Sequence, residues 1–357
     1  MPRGNLSITD GAARRILFVA PPVGPIGSGE AGGVETHLLG LAPILVERGY
    51  EVGIIAPAGS VVAVEGVTVH QVSGELSPSA TRAERGVCIQ ARSGGVLENM
   101  WDRAFALQPH YDVIIGVNYD WLAFYLTPFF SKPVGHWISI CSAIDEVDRI
   151  IEQRWREGKL RLAMYTGAQA ATYPFLQREA IHMLYGGVDT AVFRYHAEPA
   201  DRLCWAGRIS PEKGLGDAIA AAHELGMPLD VCGTMQGAMD WPVDVAYHGF
   251  LPPTELQRRY AAARATLVTP HWIEAFGNIV IESMACGTPV VAYDQGGPAE
   301  IIEHGKSGIL VPQGDVAGLV EGVRAAALLD RRVVRARAEE FTFAKMADRL
   351  QAWIESM

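Results

Sequence analysis

Hydrophobic and polar positions alternate along the first half of the chain in short strand-like runs separated by stretches of helical spacing. The apolar runs predict strands at residues 16–20, 52–56, 67–72, 113–117, 134–136, 162–165 and 181–183. A helical pattern covers residues 34–48 and ends before Gly49, a residue that commonly terminates helices. This alternation is typical of a parallel sheet covered by helices.

The same alternation restarts after Gly186. It predicts strands at residues 203–206, 229–232, 245–247, 266–269, 290–292 and 309–311, and helices at 215–225 and 279–286. A chain of 357 residues is longer than most single domains, although one large barrel is the alternative. We therefore expect an α/β fold with an N-terminal domain over residues 1–186 and a C-terminal domain over 187–340. The last segment, 341–357, carries apolar residues at helical spacing, so one face of this helix must pack on another element.

Composition and charge narrow the class of protein. Hydrophobic residues make up 49% of the chain, which is enough to build full cores. The formal charge of -10 excludes a general nucleic-acid binder, so an anionic ligand must be held by local cations. Five widely spaced cysteines indicate neither a disulfide framework nor a zinc site, and they favour a reducing cytoplasm. No apolar stretch reaches the roughly 18 residues of a spanning helix, so we expect a soluble protein.

The glycine-rich loop after the first strand permits two interpretations. Residues 27–32 match the Gly-x-Gly-x-x-Gly pattern of dinucleotide-binding enzymes, which keeps an NAD(P)-dependent oxidoreductase as a rival hypothesis. Those glycines begin six residues after the strand, and no acidic residue follows the second strand to bind a ribose. We favour Gly32 and Gly33 at a helix start, where backbone N–H groups can reach a phosphate or a sugar; a plain turn is the simpler alternative.

A second loop lies between a predicted strand and a predicted helix at residues 207–214. Ligands bind at such strand ends in parallel sheets. Arg208 offers a planar fork and Lys213 a compact cation, so together they can neutralise a diphosphate. The alternative is two unrelated surface charges.

A third motif covers residues 270–289 and contains two carboxylates. Glu282 lies in an apolar helix, where a carboxylate needs a polar partner, and Glu274 lies in the loop before that helix. The two are placed to meet different sets of ligand hydroxyls, while free N–H groups at residues 277–279 can face a phosphate. We therefore select Phe276, Gly277, Asn278 and Ile279 as candidate donor-binding residues. A structural Glu282 is the alternative.

These three motifs together resemble the family-four retaining glycosyltransferases of the GT-B fold. The resemblance implies two Rossmann-like domains that face each other across a cleft, with the C-terminal helix returning to the first domain. It also implies that Glu282 binds the donor ribose, Glu274 the donor sugar, and Arg208 with Lys213 the leaving diphosphate.

The resemblance extends to further positions. It places His136 against the donor sugar, although a histidine at a strand end is equally explained as a core residue. It places Gly233, Gly249 and Phe250 beside the nucleobase. The chain contains no Asp-x-Asp, the motif that clamps a metal-bound diphosphate in the other major glycosyltransferase fold, so we expect no metal and no cofactor besides the nucleotide sugar.

A narrower resemblance concerns residues 18–33, 119–130 and 274–278. These segments are similar to bacterial enzymes that glucosylate tetrahydrobiopterin from UDP-glucose. The candidate acceptor residues are Tyr119, Trp121, Trp137 and Asp145, because aromatic faces and carboxylates suit a planar polar heterocycle. Core packing explains the aromatic residues equally well, and a saccharide or natural product remains an alternative acceptor.

The sequence thus predicts a retaining transferase that moves a hexose from UDP-glucose to a small acceptor. The resemblance favours attack on the same face as the departing group, with the leaving phosphate as the base and no protein nucleophile. A non-catalytic nucleotide-sugar-binding protein is the remaining alternative. We expect a cytoplasmic protein without nucleic-acid partners and without stable membrane insertion.

Overall fold

The computed structural model describes residues 15–28, 32–80, 84–89, 94–235 and 240–357. Contacts group the described chain into two units. The first unit consists of the chain up to Met164 together with two later segments, Phe175–His182 and Ala347–Met357. The second unit consists of Tyr165–Pro174 and Met183–Met346. Each unit contains its own sheet.

The sheet of the first unit has the strand order β3-β2-β1-β4-β5-β6-β7. Its strands are β1 (Arg15–Val19), β2 (Glu51–Pro57), β3 (Val67–Val72), β4 (Val113–Gly116), β5 (Val134–Trp137), β6 (Arg161–Met164) and β7 (His182–Met183). β1 pairs in parallel with both β2 and β4, so the strand order reverses beside β1. Strands β4 and β5 are buried along their whole length, which explains their continuous apolar runs.

The helices of the first unit include α1 (Gly33–Glu47), α2 (Val96–Leu107), α3 (Trp121–Leu126) and α4 (Asp145–Arg156). The short helix α3 begins where the Asp120 carboxylate accepts a hydrogen bond from the backbone N–H of Ala123, at 3.1 Å. The core includes two fully buried tryptophans, Trp101 and Trp137.

The sheet of the second unit has the order β10-β9-β8-β11-β12-β13. Its strands are β8 (Leu203–Ala206), β9 (Leu229–Cys232), β10 (Val245–Tyr247), β11 (Ala265–Val268), β12 (Val290–Tyr293) and β13 (Gly308–Val311). β8 pairs in parallel with β9 and with β11, so the order reverses at β8. Parallel sheets of this order bind ligands at the carboxyl ends of the strands beside the reversal.

The second unit contains α5 (Gly167–Ala171), α6 (Leu215–Leu225), α7 (Pro253–Ala262), α8 (Asn278–Ala285), α9 (Gly296–Ile301), α10 (Val316–Ala326) and α11 (Arg331–Ala338). The core between sheet and helices includes Leu203, Trp205, Val231, Leu267 and Val323, each at most 2% exposed. Two separate open sheets exclude the single barrel that chain length alone left open.

The last helix, α12 (Phe343–Glu355), carries the residues that rejoin the first unit. Trp353 is buried there, and a Cβ at Gly135 of β5 would lie 2.8 Å from its ring. Arg48 and Asp348 form an ion pair of 2.6 Å within the same unit. The apolar face predicted for this segment therefore packs on the first sheet.

The predicted boundary at residue 186 differs from the division that contacts give. Tyr165–Pro174 belongs to the second unit, because Thr166 donates a hydrogen bond of 2.7 Å to the carbonyl of Ala275. The carboxylate of Glu300 also accepts the backbone N–H of Gly167, at 3.2 Å, near the start of α5. The sequence boundary missed these contacts because they join residues that are more than 100 positions apart.

Across the described ranges, none of the helices combines the length and the apolar character needed to span a bilayer.

Candidate functional site

Arg208 follows β8 and is held by residues of its own loop. Its Nη2 donates to Oε1 of Glu212 at 2.7 Å, and the hydroxyl of Ser210 donates to the same oxygen at 2.7 Å. Burial disfavours ionisation of Glu212, but the hydrogen bonds from Ser210 and Arg208 outweigh it and lower the pKa of this carboxyl. The guanidinium is thus fixed at the carboxyl end of β8, the strand at which the order of the sheet reverses.

Lys213 lies at the end of the same loop and contacts a carboxylate from a distant part of the chain. Its Nζ forms an ion pair with Oε1 of Glu274. Nε1 of Trp272 donates to the same oxygen at 2.8 Å, and the Lys213 ammonium lies 4.9 Å from the centroid of the Trp272 ring. The ion pair and the cation–π contact together define the positions of Lys213 and Glu274.

Backbone contacts join the loop of Arg208 to the loop of Glu274. The N–H of His271 donates to the carbonyl of Glu212 at 2.8 Å, and the Thr269 hydroxyl donates to the carbonyl of Gly214 at 2.8 Å. Gly214 has φ +65°, and a Cβ there would collide with the carbonyl oxygen of Thr269. Only glycine permits this close approach, so the loop of Arg208 packs directly against the loop of Glu274.

Glu282 lies in α8, eight positions after Glu274. The hydroxyl of Tyr260 donates to its Oε2 at 3.3 Å, and burial raises the pKa of Glu282 to about 7. The helix begins at Asn278, directly after Gly277 with φ +98°. The backbone N–H groups of its first turn include those of Asn278 and Ile279, two of the predicted donor-binding residues.

Phe276 differs from its neighbours in the motif because its side chain is only 3% exposed. Its ring centroid lies 5.7 Å from that of Tyr165 in the same unit. Main-chain atoms are therefore what Phe276 can offer to a ligand.

The predicted glycines of the second unit converge at the carboxyl ends of β8, β9 and β10. The N–H of Gly233 donates to the carbonyl of Gly249 at 2.8 Å, and a Cβ at Gly233 would collide with the carbonyl oxygen of Gly207. A Cβ at Gly207 would in turn lie 3.7 Å from the side chain of Ile279. Phe250 follows Gly249 and is 66% exposed. The structure thus brings together residues that the sequence separates by as many as 72 positions.

In the first unit, Gly32 and Gly33 lie at the start of α1 as predicted. Gly32 has φ +66° and precedes the helix, and open space surrounds the position that a Cβ would take. Glu35 fixes the turn, because its Oε1 accepts the N–H of Gly27 at 2.6 Å. Residues 29–31 of the dinucleotide-like pattern lie outside the described residues.

His136 is completely buried in the first unit. Its Nε2 lies 2.7 Å from the hydroxyl of Thr127, and its ring centroid lies 4.6 Å from that of Phe124. Burial lowers the pKa of His136 to about 3, so the ring is neutral at physiological pH. As placed, this histidine is a core residue, and its Nδ1 has no hydrogen-bond partner among the described residues.

Two of the four candidate acceptor residues are also core residues, which corrects the sequence interpretation. Trp137 is 0% exposed. Tyr119 is 8% exposed; its hydroxyl donates to Asp148 at 2.7 Å and accepts the N–H of Ile144 at 2.9 Å. Neither ring can stack on a ligand, because strand and loop packing covers both.

The other two acceptor candidates are at least partly exposed. Trp121 begins α3, half-buried, with its ring centroid 6.3 Å from that of Tyr125. Asp145 begins α4, and Arg85 forms an ion pair of 2.8 Å with its Oδ1. These two residues keep surface that a ligand can contact.

Sequence reasoning assigned no role to three polar residues that the structure singles out. Glu212 is the partner of Arg208, and its position within the cationic loop was the available signal. Asn118 is 2% exposed, and neither of its side-chain amide atoms has a hydrogen-bond partner among the described residues. Asp120 caps α3, and burial raises its pKa to about 7. An aspartate before an apolar helix is a recognisable cap, but nothing in the pattern marks Asn118.

In the described ranges, no group of three or more His, Cys, Asp or Glu side chains is arranged to hold a metal ion. All five cysteines are free thiols, and three of them, Cys204, Cys232 and Cys286, are buried.

The two Rossmann-like units with parallel sheets have the fold of the GT-B class, and the second unit carries glycines, cations and carboxylates at its strand ends. Residues 192–341, all within the second unit, match the family model for glycosyl transferases group 1. The match covers less than half of the chain and agrees with the resemblance identified from the motifs.

Curated relatives extend the similarity over most of the chain. The D-inositol 3-phosphate glycosyltransferase of Pseudarthrobacter chlorophenolicus is 28% identical, over 84% of this chain and 83% of the relative. The glycogen synthase of Mycobacterium tuberculosis is 34% identical, over 40% of this chain and 39% of the relative.

Solved structures agree in fold. Anabaena HepE in complex with UDP and glucose matches with a TM-score of 0.72 and 19% identity, over 96% of this chain and all of that one. Sucrose-phosphate synthase from Thermosynechococcus elongatus matches with a TM-score of 0.72 and 18% identity, over 94% of this chain and 97% of that one.

Proposed function

We propose that this protein is a retaining hexosyltransferase that moves glucose from UDP-glucose to a small acceptor. The observation that carries the proposal is the joined pair of loops in the second unit, where Arg208, Lys213 and Glu274 are held by hydrogen bonds and ion pairs. The group 1 family match supports the transferase class. The crystal structure of Anabaena HepE in complex with UDP and glucose, which has a similar fold, supports the choice of donor.

The predicted donor-site residues of the second unit each have a part in this proposal. Arg208, Lys213 and the first turn of α8 stabilise the diphosphate, because preorganised donors act where negative charge develops. Glu274 accepts hydrogen bonds from sugar hydroxyls and Glu282 from the ribose. Main-chain groups at Gly233 and Gly249 border the base.

The reaction follows from these assignments. The bond between the anomeric carbon and the β-phosphate oxygen breaks, and a bond from the acceptor to the same face of that carbon forms. The acceptor proton passes to the departing phosphate oxygen, so UDP leaves and no protein nucleophile is required. Because Arg208 and Lys213 supply the positive charge, the proposal includes independence from divalent metal, and a chelator should leave the rate unchanged.

For the acceptor, we propose a reduced pteridine such as tetrahydrobiopterin. Support comes from the exposed surface of Trp121 and Asp145 in the first unit, which offers a flat apolar ring and a carboxylate acceptor for ring N–H groups. The similarity to D-inositol 3-phosphate glycosyltransferases over more than four-fifths of the chain favours an inositol phosphate as the second candidate.

The test is a donor-by-acceptor screen read by mass spectrometry. UDP-glucose, GDP-glucose and ADP-glucose are each combined with tetrahydrobiopterin, D-inositol 3-phosphate, simple sugars and phenols. A hexose mass added to the pteridine from UDP-glucose supports the full proposal. Transfer only to another acceptor contradicts the pteridine, and transfer from another donor contradicts UDP. Absence of transfer from all donors, combined with UDP binding, favours the non-catalytic alternative.

A further inference from the structure

The partner of Arg208 in its own loop points to a role that lies outside the donor-contacting set. We propose that Glu212 is a positioning residue that acts through Arg208, holding the guanidinium in the orientation that meets the donor diphosphate. The inference rests on the proposed function, since it concerns the same site.

The contact geometry leaves most of the guanidinium free for a ligand. Glu212 accepts one hydrogen bond from Nη2 of Arg208, at 2.7 Å. The hydroxyl oxygen of Ser210 lies 3.5 Å from Nε of Arg208, so this second contact is weak. An arginine carries five N–H donors in a rigid plane. Within the described structure Nη1 makes no hydrogen bond to protein, so the carboxylate fixes the plane from one corner and leaves the opposite edge available.

Glu212 is itself anchored on two sides, which an ordinary surface ion pair is not. The Ser210 hydroxyl donates to the same Oε1 at 2.7 Å, and the Glu212 carbonyl accepts the N–H of His271 at 2.8 Å. The side chains of Arg208 and Glu212 are 31% and 30% exposed, whereas those of the surface pair Arg324 and Glu321 are 58% and 71% exposed.

Positioning has a kinetic consequence because a flexible arginine must otherwise be ordered in the transition state. Immobilising such a side chain is entropically unfavourable, and Glu212 has already ordered it before the donor arrives. Small displacements of a charge-stabilising group reduce turnover strongly. Removing Glu212 should therefore lower kcat more than it raises the KM for the donor.

The experiment is a double-mutant cycle on the full chain, with UDP-glucose as donor and the acceptor found in the screen. Glu212→Ala should lower kcat about tenfold, and Glu212→Gln, which keeps the accepting oxygen, should stay within about threefold of the parent. In the Arg208→Ala background, Glu212→Ala should change kcat by less than about twofold, because the residue through which it acts is gone. The matched control is Glu321→Gln, which removes the carboxylate of an exposed pair.

Three results would overturn the inference: a Glu212→Ala kcat within twofold of the parent, a Gln variant as impaired as the Ala variant, or a full additional loss in the Arg208→Ala background. If Glu212→Ala fails to fold, Ser210→Ala replaces it, since it removes the hydroxyl that anchors the carboxylate. Its smaller loss should also vanish in the Arg208→Ala background. A parent protein that transfers no hexose contradicts the proposed function itself, whereas a normal parent with an unaffected variant contradicts only the role of Glu212.

Discussion

Lys213 and Glu274 form an ion pair although 61 positions separate them in the sequence. The Arg208–Glu212 pair occupies the same loop, so both cations of the proposed diphosphate site carry a carboxylate partner. The two positive and two negative charges of these four side chains therefore sum to zero. An arriving diphosphate must share these cations with Glu212 and Glu274, so the site favours ligands that also supply hydroxyl groups for Glu274.

Replacing either cation tests the proposed stabilisation of the leaving group. Arg208→Ala or Lys213→Ala should lower kcat about 10²–10³-fold, by analogy with the loss of one oxyanion donor. Steady-state kinetics with UDP-glucose measure this effect, and thermal melting checks the fold. The control is Lys306→Ala, whose side chain is 70% exposed in its pair with Glu303. Parent-like turnover in a variant with an intact melting temperature would remove that cation from the mechanism.

Replacing Glu274 and replacing Glu282 should have different effects on the affinities for UDP and for UDP-glucose. Glu282→Ala should weaken UDP and UDP-glucose alike, because the ribose is common to both. Glu274→Ala should weaken UDP-glucose more than UDP, because it is proposed to contact only the sugar. Isothermal titration calorimetry with both ligands measures the contrast. If both variants bind UDP as tightly as the parent does, Glu282 is structural.

The raised pKa of Glu282 predicts a pH dependence of nucleotide binding. Burial raises this pKa to about 7, so the carboxyl is mostly protonated at pH 6 and mostly ionised at pH 8. Only the ionised form accepts hydrogen bonds from both ribose hydroxyls with full strength. The affinity for UDP should therefore rise from pH 6 to pH 8, by up to about tenfold from this group.

The phosphates of UDP also titrate in this range, so the comparison needs Glu282→Gln as a control. That variant keeps the titration of the ligand and removes that of the protein. Calorimetry at both pH values should give a smaller rise in affinity for Glu282→Gln than for the parent. Equal rises in the two proteins would exclude Glu282 as the group that couples protons to UDP binding.

The fold was largely predictable because buried parallel strands have continuous apolar runs. The sequence predicted β8, β9 and β10 with the bounds that the structure has. The same property limited the prediction of site residues. All four residues of β5 are buried, so the pattern does not distinguish His136 and Trp137 from residues that face a ligand.

The sequence was sufficient to predict which residues form the candidate donor site. It was not sufficient to predict which of them contact one another. The loop after a predicted strand identified Arg208 and Lys213, the loop before a predicted helix identified Glu274, and the apolar character of that helix identified Glu282. Pairing partners depend on side-chain directions across distant segments, which no local pattern encodes. Tyr260, which donates to Glu282 from 22 positions away, therefore became apparent only from the three-dimensional structure.

His136 gives a prediction that separates a core residue from a residue that contacts the sugar. Burial lowers its pKa to about 3 in the folded chain, whereas the unfolded chain titrates near 6.5. Below pH 6.5 the unfolded state takes up a proton that the folded state does not, so this group makes stability fall as pH falls from 6.5 towards 3. At pH 5 the loss from His136 is about 2 kcal/mol relative to neutral pH.

His136→Phe removes this titration and keeps a ring of similar size in the core. Urea unfolding at pH 7.5 and pH 5 should show a smaller loss of stability for this variant than for the parent. His223→Gln is the matched control, because it removes an imidazole whose side chain is 83% exposed. His136→Phe should also keep most of its turnover if the ring serves the core alone, because the residue is completely buried. Parent-like acid sensitivity together with lost turnover would instead mean that the ring reaches both solvent protons and the sugar.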